Sequence, residues 1–168
     1  MDSIHVLLET SEGDMLAVLY PEAAPKTVAN FLAYVDEGHY NETLFHRIVR
    51  GFVVQGGGYD RFWVKKPVKE PVPNEAHNGL SNRKGTLAMA RTPEKDSARD
   101  EFFINAADNT ALDHRDETDE GFGYSVFGEL VEGFDVLKKI NWKVVKARPD
   151  FPEAPQEEVV LYSVQRFA

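Results

Sequence analysis

Residues 45 to 58 read FHRIVRGFVVQGGG, and they set Arg47 and Gln55 among apolar residues, with Phe52 and Val53 between them. A guanidinium and an amide placed among core-type residues suggest chemistry. Yet the stretch holds no serine, cysteine or carboxylate to act as a nucleophile. It suits a reaction in which a fixed positive donor stabilises charge rather than one that makes and breaks covalent bonds. Taken alone, Arg47 reads better as a surface ion-pair residue and Phe52 as core.

Other chemistries find little support. The histidines, at 5, 39, 46, 77 and 114, form no i, i+4 pair and no HExxH, so they read as surface or capping residues and no metal is expected. Residues 113 to 120, DHRDETDE, carry five acids in eight positions, but at offsets that do not match a calcium loop; a solvated acidic loop is expected. Gly56, Gly57 and Gly58 are not followed by the GK[ST] of a phosphate cradle, and they read as a tight turn leaving a strand. Ser97 and Ser125 lack the elbow pattern of acyl transfer. The sequence calls for no cofactor.

A second stretch, GTLAMARTPEKDSARDEFFINAADN at 85 to 109, changes the balance. On a strand, Glu101, Phe103 and Asn105 face one way while Phe102 and Ile104 face the other. One phenylalanine can then fill an interior while its neighbour lines an outside groove.

The elements that must position these residues are mostly strands. Ile4, Val6 and Leu8 alternate with His5, Leu7 and Glu9, and a turn at 11 to 14 leads into a second strand at 15 to 20, a hairpin pattern. Pro25 opens a helix whose apolar face is Val28, Phe31, Leu32 and Val35, and Gly38 closes it. Residues 59 to 84 form a proline-rich, ordered surface excursion. Short strands are predicted at 85–90, 101–105 and 124–130, then a brief helix with Phe134, Leu137 and Ile140 inward. A last strand at 158–167 has apolar residues in both alternating series, so its buried face stays open. About eight strands and two helices without repeats favour a mostly-β fold, a closed or nearly closed antiparallel barrel in which the first and last strands are neighbours.

Composition bounds the partners. The 168 residues suit one domain, and a net charge of −9 disfavours phosphate backbones and anionic membranes alike, so no nucleic acid and no membrane partner is expected. No apolar run approaches 18 residues, there is no cysteine, and the N-terminus lacks the pattern of a secretory signal. A cytoplasmic location is expected.

Together FHRIVRGFVVQGGG, GTLAMART…DEFFIN and FGYSVFGELVEGFDVLKKI resemble the cyclophilin family of peptidyl-prolyl cis–trans isomerases, nearest its bacterial members, and the likeness runs over nearly the whole chain from 1 to 168. The resemblance implies a closed eight-stranded antiparallel β-barrel capped by two α-helices, with substrate in an outer groove. It implies rotation about X–Pro bonds in peptides and in unfolded or folding chains, by a monomer. Arg47 would be the donor and Gln55 the residue that holds it. Phe52, Val53, Phe103 and Leu112 would shape the proline pocket, and Ala90 and Arg91 would meet the peptide backbone.

Four positions depart from or vary within the family pattern. Val53 stands where many relatives have methionine, and Glu101 replaces a usual glutamine beside the groove. Tyr124 occupies a position that is histidine in many eukaryotic members and tyrosine in bacterial ones. Ala111 replaces a large aromatic, a tryptophan in members that bind cyclosporin tightly, so weak cyclosporin binding is expected. With no histidine placed in the site, a rate nearly flat from about pH 6 to 8 is expected.

Overall fold

The computed structural model describes residues 3–167. Strands β1 (Ile4–Thr10) and β2 (Gly13–Leu19) form the hairpin, in register from Ile4 opposite Leu19 to Thr10 opposite Gly13. Helix α1 (Pro25–Asp36) buries Val28, Phe31, Leu32 and Val35, and Gly38 follows it in the left-handed region at φ +75°. Its first turn has no local cap. Instead the Glu75 carboxylate, from the 59–84 excursion, accepts from the backbone N–H of Thr27 at 2.7 Å and of Lys26 at 3.3 Å. That places negative charge where a helix N-terminus favours it. The excursion is therefore part of the fold rather than surface alone: Val72, Asn74, Glu75, Ala76 and Asn82 are all buried.

The remaining strands are β3 (Thr43–Leu44), β4 (Arg47–Val49), β5 (Val53–Gly56), β6 (Thr86–Met89), β7 (Phe102–Asn105), β8 (Val126–Glu132) and β9 (Val160–Phe167), with α2 (Phe134–Asn141) between the last two. All pairings between named strands are antiparallel, in the order β3-β9-β1-β2-β8-β6-β7-β5-β4. This corrects the expected closed barrel of eight strands: the sheet has nine, curled on itself, with an open ladder. The reason lies at Phe45-His46. The segment that would close the ladder breaks there into β3, which pairs with β9, and β4, which pairs with β5. The first and last strands are neighbours as expected, one strand in from the β3 end of the order.

The interior packs around α1. Phe31 meets Phe102 edge-on at 5.4 Å and Phe127 at 4.9 Å, with Val6, Leu8, Met15, Leu87 and Ile104 filling the space about them. In β9 a bulge near Tyr162 switches the buried series, so that Leu161 and Val164 both face inward and neither alternation holds throughout. In α2, Val136, Leu137 and Ile140 are buried, whereas Phe134 is largely exposed and leans on Gly85, where a Cβ would stand 2.6 Å from its ring. His39 and His46 are buried rather than superficial; His39 Nε2 lies 2.9 Å from an Asp100 carboxylate oxygen.

Candidate active site

Cross-strand register builds the site. β4–β5 pairing sets Arg47 opposite Gln55, β5–β7 pairing sets Gln55 opposite Phe103, and β7–β6 pairing sets Phe103 opposite Ala88. Directly paired residues share a face, so these four form one row on the outside of the curl. Phe102 and Ile104, one step away, fill the interior. The outer row sits over a small apolar cluster of Val53, Ala88, Phe103 and Val126, packed against Val49, Phe52, Leu80, Ala90, Leu112 and Tyr124.

Above that cluster lies a groove of about 310 Å³, lined by Arg47, Phe52, Val53, Gln55, Ala90, Arg91, Phe103, Leu112 and Tyr124. The structure thus brings together every candidate residue but one. Glu101 stands behind Gln55 and lines an adjoining depression of about 560 Å³. A turn in which Phe52 N–H donates to Val49 O at 3.0 Å joins β4 to β5. Phe52 is then held by its own carbonyl, which accepts from Ala106 N and Asn109 Nδ2, both at 2.8 Å. Phe103 and Tyr124 meet edge-on at 5.7 Å. The Arg91 guanidinium lies over Tyr124 at 5.0 Å and donates from Nη2 to the backbone carbonyl of Asp119 at 2.6 Å, which ties it to the acidic loop.

Arg47 is half-buried at the edge of the groove. Its Nη1 donates to Gln55 Oε1 at 3.2 Å, and its Nε donates to Glu153 Oε1 at 2.9 Å. Gln55 in turn donates from Nε2 to Glu101 Oε1 at 3.0 Å, and that same oxygen lies 3.2 Å from His46 Nε2. Lys65 Nζ is 3.5 Å from the other Glu101 oxygen. Burial pushes the Glu101 carboxyl up, but hydrogen bonds from His46 and Gln55 and the nearby positive charge outweigh it and hold the value down at about 2. Gly58 makes room for this carboxylate, since a Cβ there would stand 2.5 Å from Glu101 Cγ. Gly57, with φ +95°, turns the chain out of β5.

Two contributors escaped the sequence reading. His46 is absent from the groove lining but lies one hydrogen bond behind the Gln55–Glu101 pair. Glu153 comes from a segment with no motif of its own, 106 residues along the chain from the arginine it meets. Only the three-dimensional path of the 144–156 segment joins them. The groove offers a positive donor at the rim of an apolar pocket, with no nucleophile in its lining.

Comparison with known proteins agrees with this geometry. The family model "Cyclophilin type peptidyl-prolyl cis-trans isomerase/CLD" matches residues 5–166. Peptidyl-prolyl cis-trans isomerase B of Escherichia coli (strain K12) is 45% identical over 159 residues, covering 95% of this chain and 97% of the relative. Peptidyl-prolyl cis-trans isomerase A of Dickeya dadantii (strain 3937) is 46% identical over 163 residues, covering 97% of this chain and 84% of the relative. Among solved structures, a Cryptosporidium parvum cyclophilin type isomerase superposes with a TM-score of 0.81 at 24% identity, covering 99% of both chains, which speaks to the fold. By the family match, the two bacterial relatives and the outer groove, this chain belongs to the cyclophilin-type peptidyl-prolyl cis–trans isomerases.

Proposed function

We propose that the chain, acting as a single domain, isomerises X–Pro bonds by seating the proline on Phe52, Val53, Phe103 and Leu112 and donating a hydrogen bond from Arg47 to the prolyl nitrogen. Amide resonance sets a rotation barrier of roughly 18–20 kcal/mol. Uncatalysed exchange takes tens to hundreds of seconds, although the two isomers are close in energy. Bringing this to milliseconds is about four decades, or roughly 5.5 kcal/mol of preferential transition-state binding. As the bond twists, the nitrogen lone pair localises and becomes a hydrogen-bond acceptor. A guanidinium held beside it favours the twisted state over the planar one and stays charged throughout.

The observation that carries this reading is the placement of Arg47: anchored on two of its nitrogens, at the edge of an apolar groove. The related Cryptosporidium protein, 25% identical and with a TM-score of 0.80, was solved in the presence of the dipeptide Ala-Pro, which supports proline-containing peptides as the substrate class. Unfolded and folding chains would present the same dipeptide. In an isomerase assay on an X–Pro peptide, Arg47→Ala should lower kcat/KM by about 100- to 1,000-fold, the usual loss when a transition-state donor is removed. Unchanged turnover in a folded variant would remove the mechanism. Cyclosporin should bind more weakly than nanomolar, because Ala111, exposed in the 110–112 turn, offers neither a donor nor an aromatic surface. A titration reaching nanomolar affinity would overturn that expectation.

A further inference from the structure

We infer that Glu153 is a positioning residue for the isomerase reaction, holding the Arg47 guanidinium by its Nε–H so that Nη2 is presented to the substrate. This rests on the reading of Arg47 as the donor. A guanidinium is a rigid plane with five N–H donors. One anchor would leave it free to swing about the bonded nitrogen. Here two anchors on different nitrogens, Glu153 on Nε at 2.9 Å and Gln55 on Nη1 at 3.2 Å, fix its direction. Nη2 has no acceptor among the described residues.

Glu153 reaches the arginine on a built support. Residues 144–156 fold back as a ribbon, with Val145 bridging Pro155 and Arg148 bridging Phe151, and Lys146 N–H donating to Ala154 O at 2.9 Å. The Glu153 carbonyl accepts from the N–H of Ile48 at 2.9 Å, so main chain and side chain together grip two consecutive residues of β4. Phe151 fastens the ribbon's tip, edge-on to Tyr59 at 4.9 Å and to Trp63 at 5.0 Å. Arg47 and Glu153 are each more than a third exposed, at 35% and 39% of the side chain. A pair so open to water adds little to stability. Its effect therefore falls on the rate.

The test measures kcat and KM separately on an X–Pro peptide for wild type, Glu153→Ala and Glu153→Gln, and repeats Glu153→Ala in an Arg47→Ala background. Misdirecting a catalytic donor should make Glu153→Ala lose about tenfold in kcat, with KM within about twofold. Glu153→Gln keeps an oxygen for the Nε–H and should recover to within about threefold of wild type. Without Arg47 there is nothing to position, so Glu153→Ala should change the residual rate by less than about twofold. Wild-type kcat in Glu153→Ala would overturn the proposal. So would an equal loss in the Arg47→Ala background, or Glu153→Gln as slow as Glu153→Ala. An active Arg47→Ala single variant would instead bring down the underlying reading of the donor, which keeps the two failures apart.

Discussion

The two faces of strands β5 to β8 use the same residue types to different ends. On the inner face Val54, Leu87, Met89, Phe102, Ile104 and Phe127 are sealed, and rings from α1 and the segment after it cover them: Phe31 and Tyr40 each meet Phe102 edge-on at 5.4 Å. On the outer face Val53, Ala88, Phe103 and Val126 are also buried, but the cluster is small and opens on a groove. Hydrogen bonds support its upper end. Asn105 Nδ2 donates to Asn82 Oδ1 at 3.0 Å and to Thr86 Oγ1 at 2.8 Å, while Asn109 Nδ2 donates to Asn105 Oδ1 at 2.8 Å. The inner face spends its apolar surface on stability. The outer face borders the groove through Val53 and Phe103 and uses polar ties to stay rigid without a second covering layer.

Adjacent phenylalanines give the sharpest way to break this contrast. Phe102→Ala should cost about 3–5 kcal/mol of folding stability, because a sealed cavity remains among rings that cannot collapse. Denaturant unfolding measures it, and a loss as small as that of a surface substitution would refute the division of labour. Arg47→Ala should move the opposite quantity, raising the catalytic barrier by about 2.7–4 kcal/mol while the unfolding midpoint stays near wild type. Phe103→Ala lies between the two. The space it leaves opens on the groove, and losing the ring against proline should reduce kcat/KM by about 10- to 100-fold. If Phe103→Ala destabilises the fold as much as Phe102→Ala and spares activity, the outer cluster is merely core.

Glu101 offers the smallest and most specific effect. Its folded value of about 2 lies below the ordinary 4.5, so folding favours the ionised form. The stability it contributes is complete above about pH 4.5 and is lost as pH falls toward 2. That loss is about 1–2 kcal/mol, less than the full shift because the carboxylate keeps some contact with water. Glu101→Gln should show a correspondingly shallower acid loss; an identical acid dependence would place the effect elsewhere. Because Glu101 stays ionised from pH 6 to 8, the hydrogen bond that steadies Gln55 persists. The rate over that range should then change less than about twofold. A bell-shaped profile there would instead route proton chemistry through His46.

Much of this architecture follows from local pattern. The hairpin, the buried face of α1 and the opposite destinations of Phe102 and Phe103 all come from residue period alone. Period fails where the backbone is irregular. The bulge in β9 swaps its buried series, and the break at Phe45-His46 divides β3 from β4 and leaves the ladder open. Phe134 sits outside because α2 buries Val136 and Leu137 instead.

The order and types of residues by themselves determined that the chain is mostly β, that Arg47 and Gln55 stand among apolar residues, and that no nucleophile accompanies them. These are properties of neighbours in sequence, where spacing dictates facing. What only the tertiary structure decided is what restrains Arg47. Gln55 meets it through strand register, eight residues on, but Glu153 arrives over 106 residues on a ribbon that carries no local signature. Hydrogen bonds between such distant groups depend on the summed path of every intervening turn, and no window of sequence contains that sum.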